Sequence, residues 1–567
     1  MKTNKLIQVS AYMKTKILIL TAGLFALALA SCTDLDVDIV SQYTSKPTTT
    51  EAVEGEMANI YTKFRGPLGR RYMEAMTLTS DEYTSLAYSG NWVDGYAYAH
   101  PSYHNQTSED ATVDWMNELG KANVLATEIL NSEYPDWAKN GARAMRAFFT
   151  FIIMENWGDA PLADMDYCRE NGFDTNNRVA RAEVAKWIES ELLAVKDQLP
   201  VETTGSNYGK PSKYMALALL AKLYINWPVY TAEGGVQNYE ASAYNNSKLS
   251  DCIKVCDEII SSKKFDLGPD PYRFKFNWDN TERVEAGTIK DFIYAAAYDT
   301  QAAQGMQWGR SHVYKDVKKM TVSYFGEFLN NSGGAYMTIT PECVDRFNLP
   351  GDQRNWMIAG LCDPEGNFTS AANGNLGQVY IYDPVTLLPT NEKALNRDGK
   401  PLVFTKNITV TGDLGSIDVG DDLTGWSQGY RSMKWFLCNN DYSNGRNQSN
   451  DVPIFRYADI LLTKAEALVR LGQSGAKDLF NQIRKYAGAP EISGEPSLSD
   501  IYQERGREFF DELWRRNDMI RFGHYEDEFF PHYKNNPNAN FEKTHRIFPI
   551  AKGDLDLNSG WVQNPGY

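Results

Sequence analysis

The sequence predicts a mainly α-helical protein: a tetratricopeptide-like scaffold of helix pairs that carries a large, irregular, loop-rich insertion with short helices and strands. Three observations lead there. Apolar residues recur at helical spacing over many segments, while the alternation of a half-buried strand is scarce. Between about residues 264 and 455 the texture changes to Gly, Asn, Asp, Pro and aromatic residues, as in Asn330-Asn331-Ser332-Gly333-Gly334 and Asp418 to Asp422, which is turn and loop chemistry. Between Ile460 and Tyr486, the small residues Ala465, Ala467, Gly472 and Ala476, with Phe480, fall where two antiparallel helices pack closely.

Periodicity predicts helices at 51–64, 111–131, 136–157, 180–198, 212–227, 248–262, 457–471, 475–487 and 500–516. The segments 457–471 and 475–487 make one pair, and 212–227 with 248–262 make another across a long insertion, the repeated unit of such a scaffold. The chain then divides into a leader (1–31), a tether (32–50) and one body (51–567). Within the body, a helical part (51–263) precedes the irregular part (264–455) and a second helical part (456–567).

The charge balance narrows the partners. With 57 Lys+Arg against 73 Asp+Glu the chain carries a formal charge of -16. Binding a phosphate backbone needs clustered Lys and Arg to release counterions, so nucleic acid is excluded as a partner.

The N-terminus sets the compartment. Lys14 and Lys16 precede an apolar run from Ile17 to Ala30, which ends at Ser31 and Cys32. The run is shorter than the about 20 residues of a membrane span and has the layout of a secretory signal, with translation starting at Met1 or at Met13. Leu29-Ala30-Ser31-Cys32 has the form of a bacterial lipobox, in which cleavage exposes a cysteine that receives acyl chains such as palmitate. Chains on Cys32 would hold the protein to a membrane at about 0.8 kcal/mol per buried methylene. No later apolar stretch is long enough to span, since even Tyr214 to Tyr230 is broken by Lys222 and Pro228. Cys168, Cys252, Cys256, Cys343, Cys362 and Cys438 show no disulfide framework and read as buried thiols.

Ordered motifs run along the whole chain. They are Arg143-Ala144-Met145-Arg146-Ala147-Phe148-Phe149 followed by Trp157-Gly158-Asp159-Ala160-Pro161-Leu162, then Ala218 to Tyr224 (ALLAKLY), and Arg456 to Leu462 (RYADILL) with Ala465-Glu466-Ala467. Asn481 and Ile483-Arg484 come next. Glu504-Arg505, Glu508, Glu512, Arg515, Asp518, Arg521 and Gly523 follow, before Phe548-Pro549-Ile550 and a closing Gln563-Asn564-Pro565-Gly566-Tyr567. In this order the chain resembles the SusD/RagB outer-membrane lipoproteins of Bacteroidetes. It departs from the family pattern at Leu513, at Ala551 and at Leu557-Asn558-Ser559-Gly560-Trp561.

The resemblance implies a non-catalytic, cell-surface glycan-binding lipoprotein of the outer membrane. It would capture oligosaccharide or polysaccharide and deliver it to a SusC-like TonB-dependent transporter, closing over it as a hinged lid, without a cofactor. Asp34, Asp36 and Asp38 behind the lipidated cysteine resemble the family's surface-export signal. The motifs themselves read as scaffold: Glu508 and Glu512 precede Arg515 and Arg516 at spacings that allow i,i+3 and i,i+4 ion pairs on a helix.

Ligand contact is therefore sought in the loops. Sugar rings need aromatic platforms flanked by hydrogen-bonding side chains. Asp81 to His104 offers Tyr83, Tyr88, Trp92, Tyr96, Tyr98 and Tyr103 among Asn91 and Asp94, with no Lys or Arg. The candidates here are Trp92, Asn91, Tyr96 and Tyr98. By the resemblance, aromatics of the irregular part join them, and between Tyr298 and Tyr336 the candidates are Trp308, Arg310, Tyr314 and Tyr324. His100 and His104 are separated by Pro101, which disfavours a helix presenting both to a metal, and Asp418, Asp421 and Asp422 lack calcium-loop spacing. Two other readings stay open: a peptide-binding RagB-like lid or protein scaffold, and a surface glycoside hydrolase, which would need a carboxylate pair across the scissile bond.

Overall fold

The computed structural model describes residues 48–314, 334–369, 376–396, 398–437, 446–528 and 536–567. The chain falls into two compact units, 1–53 and 54–567, and the architecture below is that of the second. It is mainly helical, in agreement with the sequence.

Its principal helices are α1 (Thr50–Tyr61), α2 (Met73–Leu78), α3 (Met116–Leu130), α4 (Asp136–Trp157), α5 (Arg181–Val195), α6 (Lys213–Ile225), α7 (Leu249–Ser261), α8 (Tyr457–Arg470), α9 (Ala476–Ala487), α10 (Leu498–Glu508) and α11 (Arg515–Phe522). Helix α4 packs between α3 and α5, α6 packs on α7, and α8 packs on α9. Helix α7 also packs directly on α8, so the whole irregular part leaves the scaffold and returns to it between neighbouring helices. Among the described residues this part contributes short strands and single-turn helices. Strand β1 (Tyr83–Ser85) pairs antiparallel with β3 (Met337–Ile339), and β2 (Phe292–Ala296) with β4 (Val452–Arg456).

The motif residues hold these helices together from inside. Arg143 and Arg146 of α4 both grip Glu191 of α5, at 2.6 and 2.8 Å. Lys222 of α6 meets Asp459 of α8 at 2.7 Å, Asp459 accepts from Arg505 of α10 at 2.8 Å, and Arg505 reaches Asp518 of α11, also at 2.8 Å. Arg521 then closes on Glu466 of α8. At the C-terminal end the Asn564 amide donates to the carbonyls of Trp157 and Phe548, and Gln563 exchanges hydrogen bonds with Ile550.

Two local expectations are corrected. Residues 500–516 form no single helix: α10 ends at Glu508, and Asp511 takes a left-handed conformation (φ +60°) before α11 begins. The break also redirects the ion pairs. Glu508 bonds Arg456 and Arg354, Glu512 bonds Lys434 and Arg456, Arg515 bonds Asp81, and Arg516 donates to the Arg546 carbonyl. These are buried pairs between elements rather than a charged helix face. Cys168, Cys252, Cys256, Cys343 and Cys362 are buried free thiols; Cys438 lies outside the described residues. Among the described residues no helix is long and apolar enough to cross a membrane.

Candidate functional site

The site starts from a tight piece of backbone. Between α1 and α2 the segment Leu68–Tyr72 winds as a π-helix, a form that is rare and concentrated at functional positions. Gly69 is required there, because a Cβ on it would lie 2.3 Å from the Gly305 carbonyl oxygen. From this turn Arg70 donates through Nε, and Arg71 through Nη1, to the two oxygens of Glu74, each at 2.8 Å. Glu74 is fully buried, while the arginine side chains keep 24% and 33% of their surface. Arg70 also donates to the Tyr98 hydroxyl at 2.8 Å, and the Tyr336 phenol donates to Glu74.

The loop after β1 is laid over this base. Tyr88 and Asn91 exchange backbone hydrogen bonds around Ser89-Gly90, both at positive φ (+46° and +93°), the two-residue turn that matches strand twist. The Tyr88 ring stacks on Trp426 at 3.6 Å and 4°, and the Ser89 amide donates to Asp418 at 3.0 Å. Beyond the turn, Trp92, Asp94 and Tyr96 also have positive φ (+64°, +39° and +68°). For non-glycine residues each such position costs about 1–2 kcal/mol, so packing must hold the loop in place.

What it holds is an aromatic cluster. The Trp92 indole lies on Tyr336, centroids 4.4 Å apart and planes 26° apart, and meets the edge of Tyr98 at 5.7 Å. Tyr98 and Tyr336 are buried, whereas Trp92 is half-buried at the surface. Burial, followed by the Glu74 carboxylate, pushes the Tyr98 and Tyr336 phenols above their usual range, so both stay neutral donors. The outcome is a surface indole backed by two phenols that are themselves tied to Arg70 and Glu74, able to stack on the face of a ring.

The other candidates are dispersed. Asn91 is exposed and donates to the Tyr88 carbonyl; Tyr96 is 39% exposed and stacks on His100. Trp308, Arg310 and Tyr314 lie inside the body. The Trp308 indole donates to Asp511 at 2.8 Å, Arg310 sits in a buried single turn, and Tyr314 packs toward Phe404. Tyr324 and Cys32 lie outside the described residues. His100 pairs with Asp110 while His104 faces the Thr79 carbonyl, and among the described residues no group of three His, Cys, Asp or Glu is arranged to hold a metal. Asp418 anchors the loop, and Asp422 caps the short helix at Leu423.

Sequence reasoning passed over Arg70, Arg71, Glu74 and Tyr336. The signal for the first three was their spacing, two arginines three and four residues ahead of one glutamate; Tyr336 carried no local signal at all.

A family model described as the SusD family matches residues 409–567. The starch-binding protein SusD of Bacteroides thetaiotaomicron is 22% identical over 447 residues, covering 75% of this chain and 72% of that protein. A SusD-like protein of Formosa agariphila is 23% identical over 489 residues, covering 83% and 81%. Among solved structures, surface glycan-binding protein A of Bacteroides thetaiotaomicron, in complex with laminarihexaose, superposes with a TM-score of 0.63 at 18% identity and covers 91% of this chain and 100% of that one. A laminarin-binding SusD-like protein superposes with a TM-score of 0.61 at 18% identity, covering 92% and 100%. At such identities the solved structures speak for the fold, and the matched C-terminal region contains the buried motif helices α8 to α11. By these matches residues 409–567 are similar to the SusD family, and the chain shares the fold of SusD-like proteins.

Proposed function

We propose that the protein captures a glycan at the cell surface and delivers it to a SusC-like TonB-dependent transporter, without making or breaking a bond. It is held in the outer membrane by acyl chains on Cys32 and closes over the transporter as a lid. Trp92 presents the capture surface, Asn91 and Tyr96 stand exposed on the same loop, and the buried Tyr98 and Tyr336 back the indole. The observation that carries this reading is Trp92 itself: an indole kept half-buried at the surface, at positive φ, by a ring stacked beneath it. A large aromatic presented on a strained loop matches the face of a pyranose better than it matches a core.

The test is affinity gel electrophoresis of the chain from Thr33 onward against starch, laminarin, fructans, mannans, xylans and pectins, with Trp92→Ala alongside. Retardation by one polysaccharide, lost in the variant, supports capture through Trp92. Retardation by none, together with binding of mixed peptides, would favour the peptide lid, and release of reducing ends would favour a hydrolase.

A further inference from the structure

Resting on the reading of Trp92 as a glycan platform, we propose that the cleft beside Arg71 is a second subsite for the same sugar chain, and that this chain is extended and uncharged. The cleft has a volume of about 510 Å³, within the range of ligand pockets.

Its lining mixes donors and acceptors. Asn59, Thr62, Lys63 and Asp114 stand around it with Arg71, and the buried Trp115 borders it. The Trp115 indole N–H is already spent on the Thr112 carbonyl at 2.7 Å, so what remains of this ring is apolar. Sugar hydroxyls donate and accept at once, and an alternation of amide, hydroxyl, ammonium and carboxylate beside a hydrocarbon edge answers that pattern.

Continuity comes through one residue. Arg71 lines the cleft, donates to Glu74 and neighbours the Tyr98 hydroxyl, while Tyr98 meets the edge of Trp92 at 5.7 Å. Arg71 and the buried Tyr98 thus connect the cleft to the platform, and the π-helical turn positions Arg71.

The charges decide the class of chain. Lys63 and Arg71 are balanced in the lining by Asp114 and Glu118, and Arg71 is already engaged by Glu74. Glu118 is likewise engaged by Lys121, which leaves Lys63 and Asp114 to offset each other, so a uronate or sulfated chain meets no net positive charge, whereas neutral hydroxyls meet partners of either kind.

The experiment is isothermal titration with malto-oligosaccharides and laminari-oligosaccharides of two to eight sugars. It compares the wild type, Trp92→Ala, and the double variant Asn59→Ala/Asp114→Ala, whose positions are exposed. In the series that binds, affinity for the wild type should rise about tenfold once the chain outgrows the platform. The double variant should lose that gain and keep its affinity for the shortest binding sugar. A wild type whose affinity is flat with length, or a double variant that keeps the full gain, overturns the subsite. If the wild type binds neither series and no oligosaccharide of the other neutral polysaccharides tested above, platform and subsite fall together. If Trp92→Ala binds normally while the double variant loses the gain, the platform reading fails and the cleft stands.

Discussion

Lys222 and Asp459 meet 2.7 Å apart in the centre of the scaffold, with 1% and 5% of their side chains exposed. They come from two motifs distant in sequence, and the ammonium also lies 4.6 Å from the centre of the Trp514 ring. Burial drives the Lys222 pKa down, and the Asp459 carboxylate is the main group that opposes it.

Lys222→Met should therefore destabilise the protein strongly. Breaking one side of a buried pair costs about 3–5 kcal/mol, and the lower end applies here because Asp459 retains Arg505. A urea melt followed by circular dichroism measures it; a loss below 1 kcal/mol would show the pair to be dispensable.

Trp92→Ala and Tyr336→Phe should separate binding from support. The first removes the surface ring and should abolish polysaccharide retention with little change in melting temperature. The second keeps the stacking ring but takes the phenol from Glu74, so retention should persist while stability falls by about 1–3 kcal/mol. Equal effects on retention would deny Trp92 its platform role.

Asp511→Asn should flatten part of the pH dependence of stability. Burial pushes the Asp511 carboxyl up to about 7, against an ordinary value near 4, although Ser432 and Trp308 hydrogen-bond to it. The folded state thus holds this proton more tightly than the unfolded chain, so the contribution is complete below pH 4 and is lost as pH rises toward 7. His312, 3.6 Å away, is held down to about 3 by burial and by Arg431, and it stays neutral across that window. Asparagine tolerates the left-handed backbone at this position. The unfolding midpoint of the variant should fall less than that of the wild type between pH 4 and 7; parallel curves would count against this assignment.

Gly69→Ala should reach the site through the backbone. The added methyl collides with the Gly305 carbonyl, so the π-helical turn must shift and carry Arg70 and Arg71 off Glu74. Overpacking of this kind costs about 1–3 kcal/mol, and glycan retention should weaken with it. Unchanged retention would detach the turn from binding.

The helices were legible because amphipathic periodicity is a local property, and 136–157 is observed as Asp136–Trp157. Residues 500–516 misled because apolar spacing there is helical throughout, while the interruption comes from the backbone at Asp511, whose side chain is held by Ser432 and Trp308 from far along the chain. The same limit governs the site. Trp92 and Tyr98 stood out as aromatics in a loop without Lys or Arg, but the stacking of Trp92 on Tyr336 is a tertiary fact. Trp308 and Tyr314 resemble Trp92 in type, and only folding shows them to be interior.

Because α7 rests directly on α8, the polypeptide between them begins and ends at fixed, adjacent points. Doubling the length of such an excursion costs only about 0.6 kcal/mol in closure entropy. Extra length is therefore tolerated where the excursion loops outward, whereas Arg354 and Lys434, buried against Glu508 and Glu512, rivet its inner turns to the helices.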